Sequence, residues 1–335
     1  MSQPTRGMVH IDQALTNISV AYIQGAENFV ADKVFPIVPV QKQSDRYFVY
    51  LKEDWLRDEA LERAPGTESA GGMYAIDNTP TYFCRKFAFH RDVTEEDRVN
   101  QDAPLNVDMD SAEFVTQKML LRREAVWAAN YFTPGGAAGA RTSGWATTRS
   151  GVAATPTGPQ FLRWNVVGSR PIEDVATGRT AIASVTGYRP NVLVLGAHTY
   201  EALRNNASIL ERILYTQRGI VTPDLLAALF DVEKVVVGWA VRTTSPKGAA
   251  VGATSFLLGN HAFLGYAPPR PSLKTPSAGY IFGWTGLLGA GAYGNRILRI
   301  PMPTLGMGTE RIEGEMAFDS RIVASDMGVL FADAS

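Results

Sequence analysis

The sequence predicts an α+β protein, and three observations carry that prediction. Two aromatic strand patterns, "DRYFVYL" at 45–51 and "TYFCRKFAF" at 81–89, are separated by about thirty residues that hold no apolar stripe to bury. One long helical pattern, "DMDSAEFVTQKMLLRREAVWAANYF", runs from 108 to 132. From Tyr188 strand-like and helix-like runs alternate, as in a mixed α/β unit, and the closing residues go back to strand periodicity.

In chain order, residues 1–35 show no long periodic pattern and read as an extended arm; their scattered apolar residues Ile18, Val20, Tyr22, Phe29 and Val34 suit a segment that packs on another surface. In the first aromatic run Tyr47, Val49 and Leu51 alternate with Phe48 and Tyr50, and in the second Phe83, Phe87 and Phe89 alternate with Tyr82, Cys84 and Ala88, so both read as strands. The connection between them, including "KEDWLRDEALER", is long for a compact domain, and such loops are more often functional than filler. In the helix, Asp110 and Glu113 have capping-box spacing, and Phe114, Leu121, Ala125, Ala128 and Phe132 recur at helical intervals, widened by Leu120, Trp127 and Tyr131. At 1.5 Å per residue it would run roughly 35 Å, the length of a spine. A second helix is expected over 170–186, with Pro171 in its first turn, Glu173 and Asp174 near its positive end and Gly187 closing it. Then come a strand at "NVLVLG", helices at "AHTYEALRNN" and "SILERILY", a short helix opened by Thr222 and Pro223, and strands at "VEKVVVGWAVR", "SFLLGN" and "AFLGYAP". The tail "ERIEGEMAFDSRIVASDMGVLFADA" is expected to complete a sheet beside the spine helix.

The chain has 335 residues, 45% hydrophobic and 19% charged, enough for two or three packed units. A net charge of −1 gives no chain-wide attraction to nucleic acid or anionic membrane. The lone Cys84 excludes an internal disulfide framework and points to a reducing compartment. No apolar run approaches a membrane span, and "MSQPTRGMVH" lacks the apolar core of a secretory signal.

Several motifs invite chemistry. "GTESAGG" at 66–72 is close to the turn that carries the nucleophilic serine of many esterases. That turn needs a buried strand before it and a helix after it. Here "RDEALERAP" is too charged for the strand and Pro80 cuts the helix short, and none of His90, His198 and His261 is set up with an acid, so Ser69 reads as part of a mobile loop tip. "GAGAYG" at 289–294 matches G-x-G-x-x-G, with Glu310 or Glu313 near the acidic spacing, but "NRILRIPMP" after it reads as a strand where a dinucleotide site needs a helix. "DMD" at 108–110 resembles a metal-binding pair but stands where a helix wants acidic caps. His198 and Glu201 share a helix face without a third ligand in view. Cys84 reads as a small packed hydrophobe, and Arg122 and Arg123 as a solvated helix face or an intersubunit pairing site. No catalytic residue, cofactor site or metal site is therefore expected.

The order of elements, with "NFVADKVFPIVPVQKQSDRYFVY", "WLRDEALERAPGTESAGG", "FVTQKMLLRREAVWAANYF" and "EGEMAFDSRIVASDMGVLF" in sequence, resembles the major capsid proteins of tailed bacteriophages, the Hong Kong 97 type fold. The resemblance spans nearly the whole chain. It implies an N-terminal arm over 1–35, an extended β-hairpin loop over 36–88, a peripheral domain over 89–187 with the spine helix, a mixed α/β axial domain over 188–300 and peripheral return strands over 301–335. The implied function is structural: self-assembly, through pentamers and hexamers, into the icosahedral shell that encloses viral double-stranded DNA. Implied partners are further copies of the chain, a separate scaffolding protein, a portal protein, packaged DNA in weak non-specific contact and, in some members, a decoration protein, with no membrane. The implied location is the virion, after assembly in the host cytoplasm. Some members cross-link a lysine to an asparagine; Lys42 and Lys52 lie in the hairpin region, but no partner asparagine can be matched. Alternatives are an encapsulin-type bacterial nanocompartment on the same fold, a ring-forming tail or head-completion protein, or a serine hydrolase using Ser69.

The loop from Lys52 to Gly72 carries three basic and six acidic residues. On this reading it reaches over a neighbouring subunit, with Trp55 as apolar anchor and Pro65, Gly66, Gly71 and Gly72 letting the tip bend. Arg57, Asp58, Glu59, Glu62, Arg63 and Glu68 would meet a complementary surface that includes Arg122 or Arg123.

Overall fold

The computed structural model describes residues 10–11, 27–101, 106–134, 144–214, 220–246, 253–271, 275–289 and 295–335. Two six-stranded sheets organise them. In the first sheet the long strand Glu310–Ile322 is the axis. Arg85–Val93 runs antiparallel along one edge of it, and Arg296–Pro301 and Gly279–Trp284 share the other. Ile37–Val40 adds in parallel beside Gly279–Trp284, and His10–Ile11 pairs with Leu298 and Arg299.

The spine helix, Val107–Trp127, lies across Glu310–Ile322 and Arg85–Val93. Its cap is Asn106, whose side chain accepts from the Met109 amide, and not the expected Asp110 and Glu113 pair. A π turn, Ala128–Phe132, extends it and buries Tyr131 and Phe132. The buried face runs through Ala112, Val115, Thr116, Met119, Leu120, Arg123, Glu124 and Trp127, whereas the expected stripe began at Phe114, which is exposed. The apolar count placed the C-terminal part of the face, at Leu120, Trp127, Ala128, Tyr131 and Phe132, and missed Val115, Met119 and the charged Arg123 and Glu124.

The second sheet runs in the order Lys234–Gly238, Val192–Gly196, Ala262–Gly265, Gly328–Ala332, Thr147–Val152, Phe161–Leu162. Helices Pro171–Thr186, Ala197–Arg204 and Pro223–Phe230 cover one face, where Leu193, Leu195, Leu264, Val329 and Phe331 meet Val175, Ile182, Leu203 and Leu226. The alternate residues Val192, Val194, Phe263 and Leu330 point the other way, into a core shared with Trp127, Phe132 and Trp145. The C-terminal end of the spine helix thus packs on the second sheet while its N-terminal half packs on the first. Helix Pro171–Thr186 has the expected ends, with Pro171 in its first turn and Gly187 closing it in the left-handed region at φ 74°.

Strand partners regroup the expected segments. Gly279–Trp284 and Arg296–Pro301, expected within the 188–300 unit, belong to the first sheet. Thr147–Val152, Phe161–Leu162 and Gly328–Ala332, expected with the spine-helix unit, belong to the second. Of the closing strands, Glu310–Ile322 lies along the spine helix as expected, while Gly328–Ala332 joins the second sheet. Pairing joins residues far apart in the chain, which periodicity cannot report.

Most of the expected arm, 1–9 and 12–26, lies outside the described residues. Its last part is not extended. Ala31–Val34 is a short helix, and Val30, Ala31, Val34 and Phe35 are buried, with the Phe35 ring against Trp127, Tyr131 and Trp145.

Candidate subunit-contact surface

The hairpin between the two aromatic runs is held at its base and free at its tip. Ser44–Arg46 pairs antiparallel with Thr81–Phe83, and Val49–Tyr50 with Ile76–Asp77. Aromatic and β-branched residues here suit a pleated ladder. The base rests on the first sheet: Tyr82 stacks on Phe282 with ring centroids 4.6 Å apart, and Tyr47 lies 5.4 Å from the same ring. Cys84 is buried beside them and donates to the Phe282 carbonyl; burial pushes its thiol up to about 12. It is the packed hydrophobe expected. The hairpin does not leave the body at once, because Lys52 forms an ion pair with Asp326 of the same chain.

Among the described residues, the hydrogen bonds and ion pairs of residues 53–75 stay within the hairpin. Lys52–Trp55 is a single helical turn, and the Asp54 carboxylate accepts from the Ala75 amide at 2.8 Å, closing the neck of the loop. Tyr50, Trp55 and Tyr74 form a triangle of rings with centroids 5.8–5.9 Å apart. Trp55 is still 63% exposed and Met73 94%. Large apolar side chains this exposed on one loop are typical of contact surfaces. Arg57 pairs with Asp54 and Glu59, while Asp58, Glu62 and Glu68 have no ionic partner among the described residues. Ser69 lies in residues 56–75, which contain neither helix nor strand, so the strand–turn–helix elbow of a nucleophilic serine is not formed around it.

The two arginines of the expected receiving surface part company. Arg122 stays accessible, its guanidinium 5.2 Å from the centre of the Phe87 ring. Arg123 does not: it is 1% exposed and pairs with Asp32 at 3.4 Å, so it serves the interior of its own chain, contrary to expectation. Next to it Glu124, which the sequence reading did not single out, is fully buried and accepts from the Val30 and Ala31 amides. The available signal was spacing, since 120, 124 and 127 share a helix face.

Of the remaining motifs, Asp108 pairs with Arg98 and Arg299. His198 and Glu201 line a cleft of about 670 Å³ together with Asn165, Asn205, Asn206 and Asn260. Among the described residues no group of three His, Cys, Asp or Glu side chains is placed to hold a metal. "GAGAYG" falls outside the described residues except for Gly289, and the strand Arg296–Pro301 follows it, as expected. No described helix is long and apolar enough to cross a membrane.

No protein-family model matches the chain. The major capsid protein of Pseudomonas phage JBD67 is 28% identical over 328 residues, 97% of each chain. The major capsid protein of Burkholderia phage BcepMu is 26% identical over 234 residues, 69% of each. Among solved structures, a phage-related protein from Bordetella bronchiseptica RB50 superimposes with a TM-score of 0.71 at 22% identity, covering 97% of this chain and 98% of the other. The capsid of cyanophage P-SCSP1u gives 0.52 at 9% identity, covering 89% and 85%. The two-sheet architecture with its spine helix and long hairpin is the phage capsid fold of Hong Kong 97 type.

Proposed function

We infer that this chain belongs to the major capsid proteins of tailed bacteriophages and that its role is structural, as the head protein whose copies build the virion shell around double-stranded DNA. The observation that carries this reading is the match, over 97% of both chains, to a phage major capsid protein. An encapsulin-type compartment would share the fold, but both sequence relatives described above are phage capsid proteins, which favours the capsid.

Pentamers and hexamers are the assembly units, formed in the host cytoplasm with a separate scaffolding protein and a portal protein. The hairpin tip is the main contact between copies. What supports this is an exposed aromatic triangle and a surplus of carboxylates that, among the described residues, pair only within the loop. Trp55 is the apolar anchor; Asp58, Glu59, Glu62 and Glu68 face a basic patch on the next copy to which Arg122 contributes, and Arg57 and Arg63 keep the loop in shape. Exposed ion pairs are worth only about 0 to 1 kcal/mol each, but a shell repeats them many times. A near-neutral wall also suits a container of DNA, because a strongly basic lining would hold the polymer tightly. A decoration protein on the outer face is a further partner that a shell of this type accommodates. Neither Ser69 nor any other residue acts as a catalyst.

Light scattering and electron microscopy of the purified chain, alone and with the products of neighbouring genes, test the reading. Closed shells are expected, and a chain that stays monomeric under every condition overturns it. Replacing residues 53–70 with a short glycine linker is expected to leave circular dichroism unchanged and to abolish stable shells, whereas Ser69→Ala assembles normally. Normal shells from the loop deletion would remove the tip from the interface.

A further inference from the structure

The stretch that joins the N-terminal residues to the hairpin is seated on the spine helix by a buried carboxylate. The Val30 amide donates to both oxygens of Glu124 at 3.2 Å, and the Ala31 amide donates to Oε2 at 3.0 Å. A helix start leaves such amides without intrahelical acceptors, and here the acceptor comes from a residue more than ninety positions away. One position earlier on the spine helix, Arg123 takes Asp32 of the same seated segment. The apolar half of the seat is equally specific. The Phe35 ring lies 5.2–6.1 Å from the rings of Tyr131, Trp127 and Trp145. Beneath it Gly279 leaves no room, since a Cβ there would come within 2.5 Å of the Phe35 ring.

A fully buried carboxylate is costly to keep ionised, even with amide donors. Burial outweighs the Ala31 and Val30 hydrogen bonds and the nearby Arg123 charge, Asp32 adds in the same direction, and Glu124 is pushed up to about 7. The charged groups around it are Arg123 on its own helix and Asp32 on the seated segment; Lys33 on that segment and Lys234 on the strand Lys234–Gly238 lie next to Asp32. Lifting the segment away removes part of that burial, so the Glu124 carboxyl moves back towards the ordinary carboxylate range.

We propose that Val30–Phe35 is a proton-operated clasp, held more firmly on the spine helix when Glu124 is protonated than when it is ionised. A neutral carboxyl still accepts an amide through its carbonyl oxygen, and it no longer carries charge into the core. The clasp immediately precedes the strand Ile37–Val40 that leads into the hairpin, so its closure sets where that segment meets the spine helix. This inference does not depend on the capsid reading, because it concerns the single chain.

Hydrogen exchange on the full-length, unassembled chain tests it, with each amide rate corrected for its intrinsic pH dependence. A carboxyl at about 7 when seated and 4.5 when fully released makes seating up to about 70-fold firmer at pH 5 than at pH 8. Protection of the Val30–Phe35 amides is expected to rise by up to that factor on acidification. In Glu124→Gln the rise disappears. In Asp32→Asn, which keeps Glu124 and removes the adjacent negative charge, the midpoint moves to lower pH; this variant serves if Glu124→Gln does not fold. Equal protection at both pH values, a rise that persists in Glu124→Gln, or an unmoved midpoint in Asp32→Asn would overturn the proposal. So would a matching rise at the buried amides of Leu193 to Leu195, which would assign the effect to unfolding of the whole chain.

Discussion

Gly314 sits where the spine helix crosses the long strand, and a Cβ there would lie 2.4 Å from Val115 Cγ1. The missing side chain lets the helix approach the sheet closely enough for Val115 and Met119 to bury. Gly314→Ala is therefore expected to lower the subunit's unfolding free energy by about 1 to 3 kcal/mol, the usual cost of overpacking, measured by urea titration. An unchanged midpoint would mean that the helix has slack over the strand. Cys84 gives a second test at this scale. Its thiol is buried, donates to the Phe282 carbonyl and is pushed up to about 12, so almost no thiolate exists at pH 8. A thiol reagent is expected to leave the folded chain unlabelled and to label it fully in denaturant; rapid labelling of the folded chain would show that the hairpin base opens readily. The cysteine's role was legible from its place in a strand pattern. The role of Gly314 was not, because nothing in "EGEMAF" says which helix lies above it.

At the scale of elements, the spine helix and the hairpin contrast in what holds them. The helix was legible in length and place, since a run of more than twenty helix-compatible residues has few alternatives. Its buried face was legible in part: Leu120, Trp127 and Phe132 follow the apolar pattern, but Arg123 and Glu124 share the face and find their partners, Asp32 and the amides of Val30 and Ala31, only in the folded chain. The hairpin was legible as two aromatic strands around a charged loop, but its ladder is shorter than expected. It breaks after Arg46 and again after Tyr50, and its base is stacked on Phe282. Among the described residues the ring contacts of Trp55 are with Tyr50 and Tyr74 of the hairpin itself. Trp55→Ala is expected to change the unfolding free energy of the isolated chain by less than about 1 kcal/mol. The same change should raise the concentration needed for assembly by about tenfold, as removal of an aromatic anchor does. A large loss of stability with normal assembly would make Trp55 a fold residue instead.

For the whole molecule, two buried groups set opposite pH dependences. Burial lowers His261, whose neutral Nδ1 accepts from the Asp333 amide at 2.9 Å. The unfolded chain then binds that proton more readily than the folded one, so this group's contribution is present above about 6.5 and is lost as pH falls. Glu124 works the other way. Its folded value, raised to about 7, exceeds its ordinary 4.5, so the folded chain binds the extra proton and gains stability as pH falls from about 7 towards 4.5. In the native chain the two therefore act in opposite directions as the pH falls. Glu124→Gln removes the group that gains on acidification and keeps the histidine, so the urea midpoint is expected to fall on acidification more steeply than in the native chain. Parallel pH curves for the two proteins would show that Glu124 does not titrate in this range.

By itself the sequence determined the kinds and order of the elements: aromatic strands flanking a charged loop, one long helix, an α/β alternation and returning strands. These rest on local period and composition, which short-range physics reads directly. The tertiary structure alone decided which strand joins which sheet, sending Gly279–Trp284 to the first and Gly328–Ala332 to the second, and it alone turned Arg123 and Glu124 inward. The reason is that a strand's partner and a buried charge's counterpart lie far away in the chain, and only the folded core sets them side by side.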